Sequence, residues 1–416
     1  MSTAWTSRYA LRLKGVKSST IRELLKLTQR PEVISFAGGL PAPDVFPTQR
    51  FQEACRRVLE QSARTALQYG ASEGYEPLRE MIARHIARYG IRAHTENVLI
   101  TSGSQQALDL IGKLLINGGD RILVEAPTYL GALQAFSVYG ADYVSVPCDD
   151  DGLRTDLLDK PLRSGPKFMY ILPNFQNPGG TTLSEKRRHE LVLLADRYGI
   201  PIIEDDPYGQ LRYEGEHIPP LVVIDRENLR RDNGYSIGNV IYLSTFSKTL
   251  APGLRLGWIV APPDVIARFV QLKQGADLHT STFGQAVAYE VAKDGFLDQH
   301  VRLIRKVYGE RRDVMLASLK EFFPGEVAWT HPRGGLFLWV TLPIGMDSTK
   351  LLETALKENV AFVPGDCFYP HSSPESSRHM RLNFSYGEPE LIREGIRRLG
   401  IAVKHQMAEL HAVHVG

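Results

Sequence analysis

Lys248 stands in Ser244-Thr-Phe-Ser-Lys-Thr-Leu-Ala-Pro-Gly-Leu-Arg-Leu-Gly257, just beyond the apolar run Val240-Ile-Tyr-Leu243, with Arg255 seven residues on. Most lysines are simply exposed. A lysine at the end of a covered strand, among small residues and near another cation, is expected to have a lowered pKa, because desolvation and a like charge both favour the neutral amine. That neutral amine is the nucleophile of Schiff-base chemistry. Three other segments also place polar groups directly after apolar runs. Thr101-Ser-Gly-Ser-Gln-Gln106 joins a strand to a helix start, where small residues and free N–H groups suit an anion. Pro173-Asn-Phe-Gln-Asn-Pro-Gly-Gly180 is a turn-rich loop. Glu204-Asp-Asp-Pro-Tyr208 sets three acids at the end of a strand, which is costly unless a cation or a hydrogen-bond donor meets them.

Each segment has a plain structural explanation by itself: a capping turn at Ser104, an Asn-Pro turn, a solvated acidic rim, an exposed lysine. Ligands of open α/β sheets bind beyond the carboxyl ends of strands. On one such rim the four segments supply an anion cradle, an acid, a reactive amine and a second cation. An aldehyde cofactor with a phosphate and a basic ring nitrogen needs that set, and pyridoxal phosphate (PLP) matches it. The first segment lacks the lysine of a P-loop, and no GxGxxG follows a strand, which argues against a nucleotide or NAD enzyme.

The elements that must position these groups are legible as short apolar runs alternating with amphipathic stretches. Strands are expected at Val98-Leu-Ile100, Arg121-Ile-Leu-Val-Glu125, Tyr143-Val-Ser-Val146, Phe168-Met-Tyr-Ile-Leu172, Pro201-Ile-Ile-Glu204 and Val240-Ile-Tyr-Leu243. Nearly continuous apolarity suits strands covered on both faces. Helices are expected from Pro77 to Tyr89, stopped at Gly90, and from Ser184 to Tyr198, stopped at Gly199. Strands separated by helices imply a mostly parallel sheet with right-handed crossovers. Thr20-Ile-Arg-Glu23 is a capping box that opens a short helix. Farther on, one or two long helices over 285–323, strands at 335–340, 360–363 and 379–384, and helices near 348–358 and 389–399, the last stopped by Gly400, predict a second, smaller α/β domain.

The 416 residues are enough for two or three domains. A hydrophobic share of 43% beside 23% charged residues excludes a collagen, a long disordered chain and a coiled coil. Lys plus Arg is 49 against 47 for Asp plus Glu, so charge gives no reason to expect nucleic acid or an anionic membrane as partner. Cys55, Cys148 and Cys367 share no CxxC spacing, so neither a metal site nor a disulfide framework is expected. No apolar window of roughly 18 residues suits a membrane span, and the N-terminus lacks the apolar core of a signal peptide, so a cytoplasmic protein is expected.

Taken in order, the motifs resemble the fold type I PLP enzymes, specifically the class I aminotransferases, from about Ser18 to Val403. Ser19-Thr-Ile-Arg-Glu-Leu-Leu-Lys-Leu-Thr-Gln-Arg-Pro31 followed by Ser35-Phe-Ala-Gly-Gly-Leu-Pro-Ala-Pro43 is similar to the 2-aminoadipate (LysN-like) and kynurenine/2-aminoadipate aminotransferases. The resemblance implies an α/β fold with a large PLP-binding domain around a mostly parallel seven-stranded sheet, plus a smaller α/β domain. The expected boundaries are 1–45 for an N-terminal arm packing with the small domain, 46–295 for the large domain and 296–416 for the small one.

The resemblance also implies roles. Lys248 matches the Schiff-base lysine, Asp205 the partner of the ring nitrogen, and Tyr208 and Asn177 the partners of the ring oxygen. Tyr129 matches the aromatic stacked on the ring. Ser104, Gln105, Thr245 and Arg255 match the phosphate site, and Tyr69 a tyrosine that reaches the phosphate of the neighbouring subunit, which implies a homodimer. Arg381, with Gly39 and Asn177 nearby, matches the holder of the substrate α-carboxylate. Arg22, in the first turn of the expected N-terminal helix, matches an arginine that meets the side-chain carboxylate of 2-aminoadipate or glutamate. The expected activity is transfer of an amino group from an L-amino acid (2-aminoadipate, glutamate, or an aliphatic or aromatic amino acid) to a 2-oxo acid such as 2-oxoglutarate, with ping-pong kinetics. Two alternatives share the scaffold: a PLP-dependent lyase, and an aminotransferase-like regulatory domain. Only about 35 residues precede the pattern, too few for the DNA-binding module such a regulator carries.

Overall fold

The computed structural model describes residues 5–15, 30–228 and 238–415; the expected helix at Thr20–Glu23 and Arg22 lie outside them. In chain order the strands are β1 (Ile34–Ser35), β2 (Val98–Thr101), β3 (Arg121–Ala126), β4 (Asp142–Asp149), β5 (Gly152–Leu153), β6 (Met169–Ile171), β7 (Ile202–Asp205), β8 (Val240–Thr245), β9 (Gly257–Val260), β10 (Ala328–Trp329), β11 (Phe337–Thr341), β12 (Val360–Ala361), β13 (Val363–Pro364) and β14 (His379–Asn383).

A large sheet runs in the order β2-β9-β8-β7-β6-β3-β4-β5. Pairing is parallel from β8 through β7, β6 and β3 to β4, and antiparallel where β9 lies between β2 and β8. The sheet therefore has eight strands where seven were expected. The addition is the two-residue β5, which folds back on β4 through Cys148↔Leu153. All residues of β2, β6, β7, β8 and β9 are buried, because helices such as Ser104–Leu115 and Glu185–Tyr198 cover the faces. Gly199 ends the second of these in the left-handed region, at φ 64°, where glycine carries no Cβ penalty.

A second, antiparallel sheet has the order β10-β11-β14-β13. Thr282–Ala292 and Phe296–Phe322 are the two helices of the 285–323 region. The segment at 34–36 is stitched to this end of the chain: β1 pairs in parallel with β12, the Phe36 N–H donates to Ala361 O at 2.8 Å, and the Asn383 N–H donates to Phe36 O at 2.9 Å. Phe36 and Ala37 are buried there, which accounts for the apolar character of Ser35–Pro41.

Gly400 does not stop a helix. The last helix runs from Pro389 to Val415 straight through it. A Cβ at Gly400 would lie 2.8 Å from Phe322 O, so the glycine serves close approach of the last helix to the end of Phe296–Phe322.

Candidate active site

The strand ends of the large sheet, the arm and β14 meet at a cavity of about 300 Å³ lined by Ser104, Gln105, Tyr129, Asn177, Asp205, Tyr208, Thr245, Lys248, Arg255, Arg381 and Gly39. A larger cleft of about 420 Å³, lined in part by Asp150, Arg212, Trp329 and Arg333, contains none of these groups. Eleven residues scattered from 39 to 381 in the sequence thus share one small space.

The acid is identified by the pleat of β7. Successive side chains on a strand point to opposite faces. Glu204 accepts the N–H groups of Leu221 and Val222 at 2.8 and 2.9 Å on one side. Asp205 faces the cavity. Its Oδ2 accepts the Tyr170 hydroxyl at 2.7 Å, and its buried Oδ1 has no partner. Asp206, just past the strand, accepts Asn174 Nδ2 at 3.0 Å, the Gly209 N–H at 2.9 Å and the Tyr242 hydroxyl at 3.2 Å. Burial pushes the Asp205 carboxyl up to about 7, against the lowering effect of the Tyr170 hydrogen bond. Such an acid is short of a donor at Oδ1.

Lys248 Nζ donates to Gly39 O at 2.8 Å. Burial, reinforced by the Arg381 and Arg255 charges, brings its pKa down to about 8. The environment expected from the sequence is present, with the larger of the two charge effects supplied by Arg381 at the far end of the chain.

Arg381, 2% exposed on β14, is clamped between the rings of Phe337, at 4.3 Å, and Phe368, at 5.0 Å. Its Nη1 donates to Asn177 Oδ1 at 2.7 Å and its Nη2 to Ala37 O at 2.6 Å, while the buried Nε has no partner. A guanidinium packed against two aromatic rings, with an N–H to spare, offers its planar fork to a carboxylate. Asn177 itself is fixed by its loop: Arg188 donates to Pro173 O and to Asn174 Oδ1, and Gln176 Nε2 donates to Pro127 O at 3.0 Å.

At the other end of the cavity, the buried Ser104 Oγ has no partner and begins the Ser104–Leu115 helix. Gly103, at φ +77°, leaves room for Arg255: a Cβ there would lie 2.5 Å from the guanidinium. Gln105 Nε2 is turned to Gly131 O, at 3.0 Å. Thr245 Oγ1 is engaged within its own loop, donating to Leu256 O at 2.7 Å and accepting the Ser247 N–H at 3.0 Å. Gly131 has no Cβ where one would strike the Tyr129 ring at 2.5 Å, so that ring folds back over the helix start. Tyr208 is buried and stands edge-on to Phe337, at 5.9 Å.

Tyr69 is not among this group. It is 79% exposed, beside the exposed Leu67, and its ring meets His279 edge-on at 5.8 Å. Several participants carry no sequence signal of their own. Tyr170 is a polar tip inside an apolar strand, the Ala37 and Gly39 groups are carbonyls, and Phe337 and Phe368 read as core. Ser247, also on the cavity wall, was overlooked although it neighbours Lys248. Among the described residues no cluster of His, Cys, Asp or Glu could hold a metal ion.

Around one cavity there are thus an acid lacking a donor, a serine hydroxyl and arginine at a helix start, a lysine of lowered pKa and a guanidinium with a free N–H. PLP fits this set: its ring nitrogen, phosphate and aldehyde each find a complementary group, with the guanidinium left for substrate. Comparison with known proteins agrees. Residues 33–399 match the family described as aminotransferase class I and II. Aromatic-amino-acid aminotransferase 1 of Thermococcus litoralis is 48% identical over 94% of this chain and 93% of its own length. The 2-aminoadipate transaminase of Thermus thermophilus is 44% identical over 97% and 98%. The structure of LysN, α-aminoadipate aminotransferase of Thermus thermophilus, complexed with N-(5'-phosphopyridoxyl)-L-leucine, has a TM-score of 0.90 at 41% identity, covering 98% of this chain and all of that one. The chain belongs to the class I and II aminotransferases, and it is a PLP-dependent enzyme of transamination.

Proposed function

We propose that the enzyme takes the amino group of an acidic L-amino acid, 2-aminoadipate or glutamate, and passes it to a 2-oxo acid such as 2-oxoglutarate, with aliphatic and aromatic donors accepted by the same pocket. The carrying observation is the pairing of Lys248, at a pKa of about 8, with the ring-clamped Arg381 across one 300 Å³ cavity. The donor range is supported by the relatives, whose names specify 2-aminoadipate and aromatic amino acids, and by the leucine adduct in LysN.

In this reading Lys248 would hold the cofactor through its aldehyde, Asp205 through the ring nitrogen, and Tyr208 and Asn177 through the ring oxygen. Tyr129 would lie on the ring. Ser104, Gln105, Thr245 and Arg255 would form the phosphate end, with Tyr69 reaching the phosphate of a second copy. When bound, PLP supplies an aldehyde that accepts the amino group and a ring that withdraws electrons from the substrate's α-carbon. The protein's part is binding, orientation and proton transfer. Arg381 receives the α-carboxylate, with Gly39 and Asn177 beside it; to do so its N–H groups exchange the Ala37 carbonyl or the Asn177 amide oxygen for a charged acceptor. Neutral Lys248 Nζ takes the α-proton and later returns a proton as the conjugate acid. Asp205 Oδ1 keeps a proton on the ring nitrogen, and Tyr170 fixes the carboxylate's angle. Arg22 would meet an acidic side chain.

The same reading makes the protein a cytoplasmic homodimer, organised as an arm at 1–45, a large domain at 46–295 and a small domain at 296–416. The exposed Leu67, Tyr69 and Leu278 support the dimer. The test is an absorbance spectrum of the PLP-loaded protein with L-2-aminoadipate and no acceptor. Conversion of the yellow band to the shorter-wavelength band of the aminated cofactor is expected, and leucine, phenylalanine and kynurenine then rank the donors. A yellow band that none of them converts would overturn the proposal.

A further inference from the structure

Beneath the Ser102–Gln106 turn lies a charged pair for which the chemistry above has no use. Lys273, in the last turn of the Pro263–Gln274 helix, is fully buried, and Asp277 keeps 27% of its side chain exposed. Lys273 Nζ is 2.7 and 2.8 Å from the two Asp277 oxygens, 3.0 Å from Gln106 Oε1 and 3.0 Å from Thr280 Oγ1. The same acceptors bind the other end of the turn. Gln106 Oε1 accepts the Ser102 N–H at 2.7 Å, and Asp277 Oδ2 accepts the Ser102 hydroxyl at 3.1 Å. One ammonium group thus locks both ends of a five-residue turn whose middle holds Gly103, at φ +77°, and the unpartnered Ser104 Oγ.

The downstream side is held too. Leu278 has φ +63°, a conformation that a leucine keeps only when its surroundings impose it, and with the residue 45% exposed, packing within its own chain does not impose it. The imposing contacts are on either side: Asp277 on Lys273, and Thr280, whose carbonyl accepts Gln285 Nε2 at 2.8 Å. Replacing a buried ion pair by apolar groups is often neutral or stabilising, so stability is a weak reason for a lysine to be here. Fixing the shape of a turn is a better one.

We infer that Lys273 and Asp277 are a positioning pair that sets the Ser104 hydroxyl and the adjoining backbone N–H groups at the spacing a phosphate monoester dianion needs. The inference rests on the reading that this turn holds the cofactor's phosphate. It predicts a selective effect: loss of the pair weakens PLP and spares pyridoxal, the same molecule without phosphate.

The experiment measures dissociation constants of PLP and pyridoxal for the apoprotein. Lys273→Met with Asp277→Asn removes both charges together, so neither is left unpaired. PLP affinity is expected to fall about tenfold, the worth of one or two hydrogen bonds lost from the turn, with pyridoxal changed by less than about twofold. Equal weakening of both ligands, or no weakening of PLP, overturns the inference. Should the double variant not fold, Asp277→Asn alone must shift the PLP-to-pyridoxal ratio in the same direction, and an unchanged ratio overturns it equally. Ser104→Ala and Arg255→Gln are the controls. If neither moves the ratio, the phosphate reading itself fails; if they move it and the Lys273 and Asp277 variants do not, only the positioning role fails.

Discussion

Arg381→Lys is the substitution with the most decided consequence. The guanidinium donates to Asn177 Oδ1 and Ala37 O, at 2.7 and 2.6 Å, and packs against two rings at 4.3 and 5.0 Å. Lysine keeps the charge and loses the planar fork, so it can serve one carboxylate oxygen at a time and stacks poorly. One charge-assisted hydrogen bond is worth about 1.5–3 kcal/mol. The stacked contact adds about 1 kcal/mol. A total near 3 kcal/mol corresponds to roughly a 150-fold drop in kcat/KM for the half-reaction. The assay follows that half-reaction with L-2-aminoadipate and, in parallel, with 5-aminopentanoate, which has the same side-chain acid and no α-carboxylate. The amine should lose no more than about threefold, because only uniform effects on folding or on the cofactor remain. Equal losses for the two compounds, or a loss below about threefold for the amino acid, would refute the assignment of Arg381 to the α-carboxylate.

Four more predictions follow from the same geometry. Lys248→Ala should lower turnover by at least about a thousandfold, since the proton carrier is gone; steady-state rates check it. Loading of the apoprotein with PLP needs the neutral amine, so its rate should climb with pH around a midpoint near 8, and Arg381→Gln should move that midpoint upward by removing a cation that holds the value down. Burial raises the Glu125 carboxyl from 4.5 to about 8. The folded state therefore holds a proton that the unfolded state gives up, and this contribution to stability is lost as pH rises between those values. Glu125→Gln, which keeps an acceptor for the Leu172 N–H at 2.9 Å, should gain in melting temperature relative to the wild type as pH increases. Gly400→Ala places a methyl 2.8 Å from Phe322 O and should destabilise the protein by about 1–3 kcal/mol in denaturant titration.

The catalytic rim was legible because its residues follow strands, and strands are marked by apolar runs. Lys248, Ser104 and the segments at 173–180 and 204–208 could be named this way, while Asp205 and Asn177 were singled out within those segments by the resemblance. Arg381 could not be placed by spacing, since it reaches the cavity from a second sheet more than 130 residues beyond Lys248; only resemblance pointed to it. The acid triplet 204–206 was ambiguous because period-two alternation separates neighbours onto opposite faces without saying which face is which. Contacts decide it, with Glu204 on the Leu221 N–H and Asp205 under the cavity. Gly400 was misread because a helix-ending glycine and a close-packing glycine look alike until the neighbour, here Phe322, is seen. Gly257–Val260 was overlooked as a strand, being a four-residue run at the tail of a segment already dense with chemistry.

That overlooked strand has a larger consequence. Gly257 is the register partner of Thr101 on one side and of Thr245 on the other. The Ser102–Gln106 turn, the Lys248 loop and Arg255 therefore hang from a single rung and form one rigid fixture. Ala37, Gly39 and Arg381 belong to other pieces of chain, tied to one another through Phe36 and Asn383. Substitutions on the second fixture leave that rung's register in place and reach the first through the Lys248–Gly39 hydrogen bond and the Arg381 charge. A lineage built this way can vary the pieces that carry Gly39 and Arg381 while the rung that carries the Ser102–Gln106 turn and the Lys248 loop keeps its register.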